Sequence, residues 1–443
     1  MCDTWVAHSD MTKSGNVIFG KNSDRPSGEC QVLYRSKSRS ADPTHSVRCS
    51  YVQVPDDQGA MSTLGCRPYW CWGYETGINE AGVVGGNTAI FTKSRRLAEN
   101  RHRLGLTGMD LLRFGLERGS TAERAVEAMI ELLQQYGQWG SAVVHKSHEQ
   151  GSYENAFLIA DSRESWILET SGRFWIAKRS ERGYQALSNQ PTIRDRWTNT
   201  SAHLQDLATE MGWWQPDNDI FDFAKVFGDH EHYPCQVSHM RFRQVCSRLE
   251  SSAGYIDVDI AKGIFRDHYQ DTFIRGPQFH PFLPDFHTIC MHDSPSGFTW
   301  GNTATSVIVE LDPDGARPPR INIAYQPPCT SVYLGFSFSE PLPELLTRTG
   351  KMALGVFDPV TVPKDDFDET SLWWRLHRIV QSTSVRPDTR YPEILRRFGD
   401  VETENKMYLS DKEMQGANKN RTIEQQLERL MSEIVDLERR WHL

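Results

Sequence analysis

Several things are scarce in this 443-residue chain, and each shortage narrows its class. No stretch approaches the ~20 consecutive apolar residues of a membrane-spanning helix. The N-terminus has neither a basic segment nor an apolar one behind it, so no secretory signal is expected. Lysine and arginine total 49 against 58 acidic residues, a formal net charge of −9. Gripping nucleic acid or an anionic membrane by charge needs a basic face, so neither partner is expected. The nine cysteines are Cys2, Cys30, Cys49, Cys66, Cys71, Cys235, Cys246, Cys290 and Cys329. Their number is odd, their spacing irregular, and none forms a CxxC pair. That pattern predicts reduced thiols in a cytoplasmic protein, not a disulfide framework. No internal repeat is visible.

What is present supports a large core. Hydrophobic residues make up 38% of the chain, and there are 13 tryptophans. The length fits two or three domains, or one elaborated α/β domain with a helical annex.

Residues 3–7 (DTWVA) and 16–21 (NVIFGK) read as strands, with the polar HSDMTKSG between them as a hairpin turn ending in Gly15. A third strand is expected near Arg48–Val54. "WCWGYETGINEAGVVGGNTAIF" (Trp70–Phe91) reads as buried strands broken by Asn79, Gly82 and Gly85-Gly86. Two amphipathic core helices follow. The first carries Met109, Leu112 and Leu116 on one face. The second has a capping box at Ser120 and Glu123, an apolar set of Val126, Met129, Ile130 and Leu133, and Gly137 past its end. "AFLIAD", "SWILETSG", "FWIAKR" and "QALSNQ" read as an antiparallel meander. Residues 239–250 and 258–266 read as helices, and 305–311 and 321–326 as strands. Helices grouped apart from strands point to stacked antiparallel sheets covered by helices.

After about residue 340 the character changes. "VTVPKDDFDET" is a Pro/Asp-rich connector, "SLWWRLHRIV" an amphipathic helix, and 399–421 polar with little core potential. In the last helix Ile423, Leu427, Leu430, Ile434, Leu437 and Trp441 alternate four and three apart, a heptad seam. At under three heptads it is expected to pack on the body or on a partner subunit. The division expected is 1–340 for the core and 341–443 for a connector and helical extension.

The chemistry starts at Cys2. Removing Met1 would give Cys2 a free α-amine, with an ordinary pKa of about 7.7–8.0, beside a thiol of about 8.5. One residue would then hold a nucleophile and the base that deprotonates it. A buried structural cysteine is the plainer alternative. The second strand ends "FGKNSDR", and the hairpin returns it to the N-terminus. Lys21 there would favour the thiolate, and Asp24 would hold the amine.

The segments "MCDTWVAHSD…VIFGKNSDR", "GINEAGVVGGNTAIF", "NAFLIADSRESWILETSGRFWIAKR", "ALSNQPTI" and "GWWQPDNDIFDF" occur in that order. Over roughly residues 1–330 the chain resembles the secernins and the wider dipeptidase family, peptidase family C69. The resemblance implies an α+β fold, an αββα sandwich of N-terminal nucleophile hydrolase type, here with a C-terminal helical extension. It implies a nucleophile at the start of the first strand and a trimmed N-terminus. Related choloylglycine and penicillin acylases carry a "GRNMD"-type segment; here it is GKNSD, placing Lys21 and Asp24. Lysine keeps the charge of that arginine but lacks its bidentate fork. The resemblance further assigns Asn87 and Asn189 to an oxyanion hole and matches a late arginine to Arg241.

The expected function is a cysteine-type amide hydrolase, most simply dipeptidase-like, with an acylase or a non-catalytic secernin-like scaffold as alternatives. The expected site is Cys2, Lys21, Asp24, Asn87, Asn189 and Arg241. A small peptide or acyl-amide substrate and a homo-oligomer are expected, with no cofactor and no metal. His292, in "TICMHD", either lines the cleft or is a satisfied strand histidine. His230, His232, Cys235 and His239 have zinc-type side chains, but H-x-H-x₂-C-x₃-H is not a standard spacing, and a surface loop is expected.

Overall fold

The structure, a computed structural model, describes residues 1–97, 101, 103–217, 219–233, 235–276, 279–413 and 422–443, without the side chains of 407–413. In chain order the strands are β1 (Cys2–Ala7), β2 (Val17–Pro26), β3 (Gln31–Ser36), β4 (Asp42–Arg48), β5 (Gln53–Asp56), β6 (Thr63–Pro68), β7 (Thr76–Asn79) and β8 (Val84–Ile90). They continue with β9 (Glu154–Ala160), β10 (Ser165–Ser171), β11 (Phe174–Ser180), β12 (Tyr184–Leu187), β13 (Asn199–Thr200), β14 (Gly301–Leu311), β15 (Arg320–Tyr325) and β16 (Leu334–Ser337). One sheet runs β12-β1-β2-β14-β15-β16 and the other β13-β11-β10-β9-β8-β7-β6-β3, and the ladders in both are antiparallel.

The alternation of side chains along each strand explains the layering. On β1, Val6 joins Phe19, Leu158 and Val307 in the core between the sheets. Trp5 and Ala7 face the other way, onto Val245, Leu249, Ile264 and Phe265 of helices Gln236–Ser251 and Val258–Phe265. On β9, Leu158 points inward, while Phe157 and Ile159 meet Leu112, Leu116, Met129 and Leu133 of helices Gly108–Arg118 and Ala122–Tyr136. Helix, sheet, sheet, helix is the expected αββα order. Burying each large apolar side chain contributes roughly 1.5–3 kcal/mol.

Several expectations need correction. Arg48–Val54 is not a strand; its centre is the turn of a separate β4–β5 hairpin. The second helix is capped by Thr121, whose side chain accepts from the Arg124 N–H. The reciprocal capping box lies instead on the first helix, between Thr107 and Asp110. "QALSNQ" leaves the β9–β10–β11 meander: β12 crosses to the opposite sheet and pairs with β1. Residues 399–413, expected to have little core potential, belong to one helix that runs Pro387–Glu413 and buries Val401. Its sparse apolar positions hid it. It docks partly by charge, with Glu402 paired to Arg266 at 2.5 Å and accepting the Tyr333 N–H at 2.8 Å. Residues 414–421 lie outside the described part.

Helices Leu372–Val385 and Ile423–Trp441 complete the C-terminal part. The seam residues Ile423, Leu427, Leu430, Ile434 and Leu437 are buried in the core that also contains Trp373 and Phe336, so this helix packs on its own chain. None of the described helices is long and apolar enough to cross a membrane.

Candidate active site

Strand period and register assemble the site before any side chain is considered. β1 and β2 pair with Cys2 opposite Ser23 and Thr4 opposite Lys21. β12 runs on the other side of β1 with Leu187 opposite Thr4, so the chain just beyond it carries Asn189 to Cys2. Asn189 Oδ1 accepts the Cys2 N–H at 2.8 Å. It also accepts from Arg241 Nη2 at 2.8 Å. Arg241, on helix Gln236–Ser251, is fully buried, pairs with Asp3 at 2.6 Å and donates to the Cys2 carbonyl at 3.3 Å. The arginine thereby fixes both backbone and amide around Cys2.

Lys21 lies between the sheets, where its Nζ donates to Ser23 Oγ at 2.7 Å and to Glu75 Oε2 at 2.9 Å. Glu75 also holds Arg25 at 3.2 Å. Gly86 makes room for the lysine stem: a Cβ there would sit 2.6 Å from Lys21 Cδ. Burial alone would pull the Lys21 ammonium below its usual range, but Cys2 and Glu75 outweigh it and hold it above. Burial likewise pushes the Cys2 thiol up, and Lys21 is the main opposing influence.

Asp24 lies in the same register as Thr303 of β14, whose hydroxyl donates to Asp24 Oδ1 at 2.7 Å. Asp24 Oδ2 has no hydrogen-bond partner and lies 4.0 Å from Arg241. Its pKa is pushed up to about 6, chiefly by burial. The Met1 amine donates to the Asp24 carbonyl at 3.1 Å, and burial lowers its pKa.

Asn87 lies between Glu75 and Asn155. One orientation of its amide donates to Asn155 Oδ1 at 3.1 Å; the other donates to Glu75 Oε2 at 3.0 Å. Asn189 Nδ2 donates to the Ala89 carbonyl at 2.8 Å, and its second N–H has no acceptor among the described residues.

A cleft of about 270 Å³ opens over these groups, lined by Cys2, Asp24, Glu75, Asn87, Asn189 and Tyr153, with Trp300 at its rim. The structure thus brings together five of the six expected residues around it or beside it, with Arg241 behind. Lys21 does not line the cleft and acts on the thiol through its charge. Glu75, Asp3, Tyr153 and Thr303 were missed. Buried cations need a counter-ion, so a lysine and an arginine on one inward strand face signalled a missing acid; nothing in the sequence said it was Glu75.

Two other expectations fare differently. His292 is in no strand and does not line this cleft; it lies in a separate buried group with Cys290 and Cys329. The His230, His232, Cys235 and His239 side chains do not converge. His232 turns to Asp229, His239 to Gln190, and His230 to the Ala224 carbonyl and Cys235.

An antiparallel αββα sandwich whose first strand starts in a cleft with a cysteine is the fold that the resemblance implies. Residues 69–252 match the family model of peptidase family C69, which bears out the resemblance over that segment. The segment includes Glu75, Asn87, Tyr153, Asn189 and Arg241. Cys2, Lys21 and Asp24 precede it and are joined to it by the contacts above.

Among solved structures, the chain is similar to a mutant conjugated bile acid hydrolase from Clostridium perfringens. Identity is 14% and TM-score 0.42, over 77% of this chain and 94% of that one. Penicillin V acylase from Agrobacterium tumefaciens is 11% identical with TM-score 0.42, over 83% and 99%. An N-acylethanolamine-hydrolyzing acid amidase ortholog from Caenorhabditis elegans is 10% identical with TM-score 0.33, over 69% and 92%.

Proposed function

We propose that this protein is a cysteine-type N-terminal nucleophile hydrolase that cleaves small amide bonds, with dipeptides as the substrate class. The observation that carries the reading is the placement of Cys2: it opens β1 and lines the cleft, with its N–H on Asn189 Oδ1 and the charge of Lys21 as the main influence favouring its thiolate.

The active form requires removal of Met1, or of whatever precedes Cys2. The freed α-amine then takes the position of the present Cys2 N–H, held by Asn189 Oδ1 and faced by Asp24. It accepts the thiol proton as the thiolate attacks the substrate carbonyl. Lys21 lowers the cost of the thiolate in this buried setting, and Glu75 holds Lys21. The second N–H of Asn189 stabilises the oxyanion, with Asn87 beside it. The amine passes its proton to the leaving amine, and water then cleaves the thioester. With Met1 still among its lining the cleft measures about 270 Å³, just below the roughly 300–1,000 Å³ of small-molecule sites, and losing Met1 brings it to the low end of that range. That size favours a dipeptide over a long peptide.

The test has two arms. Intact mass gives the N-terminal residue of the active protein, and a panel of dipeptides and N-acyl amino acids is read by mass spectrometry. Hydrolysis by protein beginning at Cys2, with a trapped thioester, is expected. Hydrolysis by protein that retains Met1 would overturn the mechanism. Cleavage of N-acyl amino acids alone would move the substrate class to acyl amides.

A further inference from the structure

Some 290 residues after the nucleophile, a second group of chemically capable side chains is gathered in a different place. His268, Cys290, His292 and Cys329 are all buried, and one donor atom from each lies within 4.8 Å of all the others. His292 Nε2 is 3.1 Å from Cys329 Sγ and 3.8 Å from Cys290 Sγ. Tetrahedral zinc, with Zn–S of about 2.3 Å and Zn–N of about 2.0–2.1 Å, places its ligand atoms about 3.3–3.8 Å apart. The two His292 contacts lie near the ends of that range, while the group as a whole spans up to 4.8 Å.

The chain segments bearing the four residues are already tied together. Cys290 N–H donates to the Asp267 carbonyl at 3.1 Å, next to His268. Arg266 Nε donates to the Pro328 carbonyl at 2.8 Å, next to Cys329. Phe282 covers His292, with ring centroids 4.5 Å apart, and Tyr391 of the C-terminal extension packs on Phe282 at 5.4 Å. The four side chains are buried, with His268 also lining a neighbouring cavity of about 230 Å³, and among the described residues His268 Nε2 has no hydrogen-bond partner. An unpaired buried imidazole nitrogen is costly. A divalent ion on two thiolates and two neutral imidazoles leaves no net charge and gives every donor a partner.

We propose that His268, Cys290, His292 and Cys329 bind one structural Zn²⁺. Four protein ligands fill a tetrahedral shell and leave no open position for substrate, which is the mark of a structural site rather than a catalytic one. Soft thiolates with imidazoles in this geometry select zinc over magnesium or calcium. The ion would pin the loop 288–292 to the segments at 268 and 329. That loop touches the cleft through one residue: Met291 N–H donates to Thr303 Oγ1 at 3.0 Å, and the same hydroxyl donates to Asp24. The proposal does not depend on the hydrolase reading.

The test is metal content of the full chain purified without chelator, by elemental mass spectrometry. About one zinc per chain is expected in the wild type. Cys329→Ser and His268→Ala should each lose tenfold or more, and Cys235→Ser should lose none. Should the variants fail to fold, Co²⁺ exchanged into the wild type answers the same question. Visible absorption of a tetrahedral site with a thiolate-to-cobalt charge-transfer band is expected. Three results would overturn the proposal: folded protein that takes up no zinc or cobalt, zinc retained in Cys329→Ser, or an intact mass showing Cys290 and Cys329 joined as a disulfide.

Discussion

Two buried clusters lie on either side of Thr303, and they are built from opposite materials. Around Cys2 the groups are hard charges: Lys21 and Arg25 on Glu75, and Arg241 on Asp3. Around Cys329 they are soft donors with no carboxylate among them. The first cluster opens into a cleft, whereas the second is buried and only its His268 lines a neighbouring cavity. The same residue type, cysteine, is thus prepared for two kinds of chemistry. Charge beside an open face prepares a thiol to attack; soft partners without an open face prepare it to coordinate.

Substitutions can break this contrast at either end. The largest effect is expected from Cys2→Ala. Amide hydrolysis should fall about 10⁴-fold or more with the fold intact, read by turnover assay and circular dichroism. Next comes Glu75→Gln, which leaves Lys21 buried without its counter-ion while Arg25 keeps Glu29 at 2.7 Å. It should cost about 3–5 kcal/mol in urea unfolding, since breaking a buried pair strands the remaining charge. Asn189→Ala should lower kcat by about 10²–10³-fold through the lost oxyanion donor.

Asp24→Asn sharpens the contrast by separating activity from stability. The native carboxyl titrates near 6 against an ordinary 3.8, so its ionised form is the costly one. Above pH 6 both native and unfolded chains carry the charge, and the native state bears the full cost. As pH falls through 6 towards 4 the native state takes up a proton first and that cost disappears. The asparagine variant should therefore lose activity yet be more stable than wild type at pH 8, by up to about 3 kcal/mol. The gap should close by pH 4, read as the difference in Tm across pH. The smallest effect is expected from Cys235→Ser. This partly exposed thiol belongs to neither cluster, and its replacement should change stability by no more than about 0.5 kcal/mol.

How far the site was legible follows from distance along the chain. Cys2, Lys21 and Asp24 were readable together because a hairpin joins them, and a hairpin is a local event. Asn189 was readable only by resemblance, since the meander reading kept "QALSNQ" in the wrong sheet. A short apolar run looks the same whichever sheet accepts it; packing decides. The zinc-type signal was read at residues 230–239, where the residues are close in sequence but their side chains diverge. It was missed at 268, 290, 292 and 329, where two of the four ligands arrive from distant segments.

By itself the sequence determined what alternation and helical periodicity can encode: most of the strands, the amphipathic helices, stacked antiparallel sheets covered by helices, and a cysteine poised at the head of the first strand, while the αββα class followed from the resemblance. These are local properties, set by backbone geometry and by which face of each element is apolar. Only the tertiary structure decided that Glu75 balances Lys21, that Arg241 reaches across to Asn189, and that Cys290 meets Cys329. Those pairings join residues tens to hundreds of positions apart, and the packing of the two sheets and their helices chooses which of them meet.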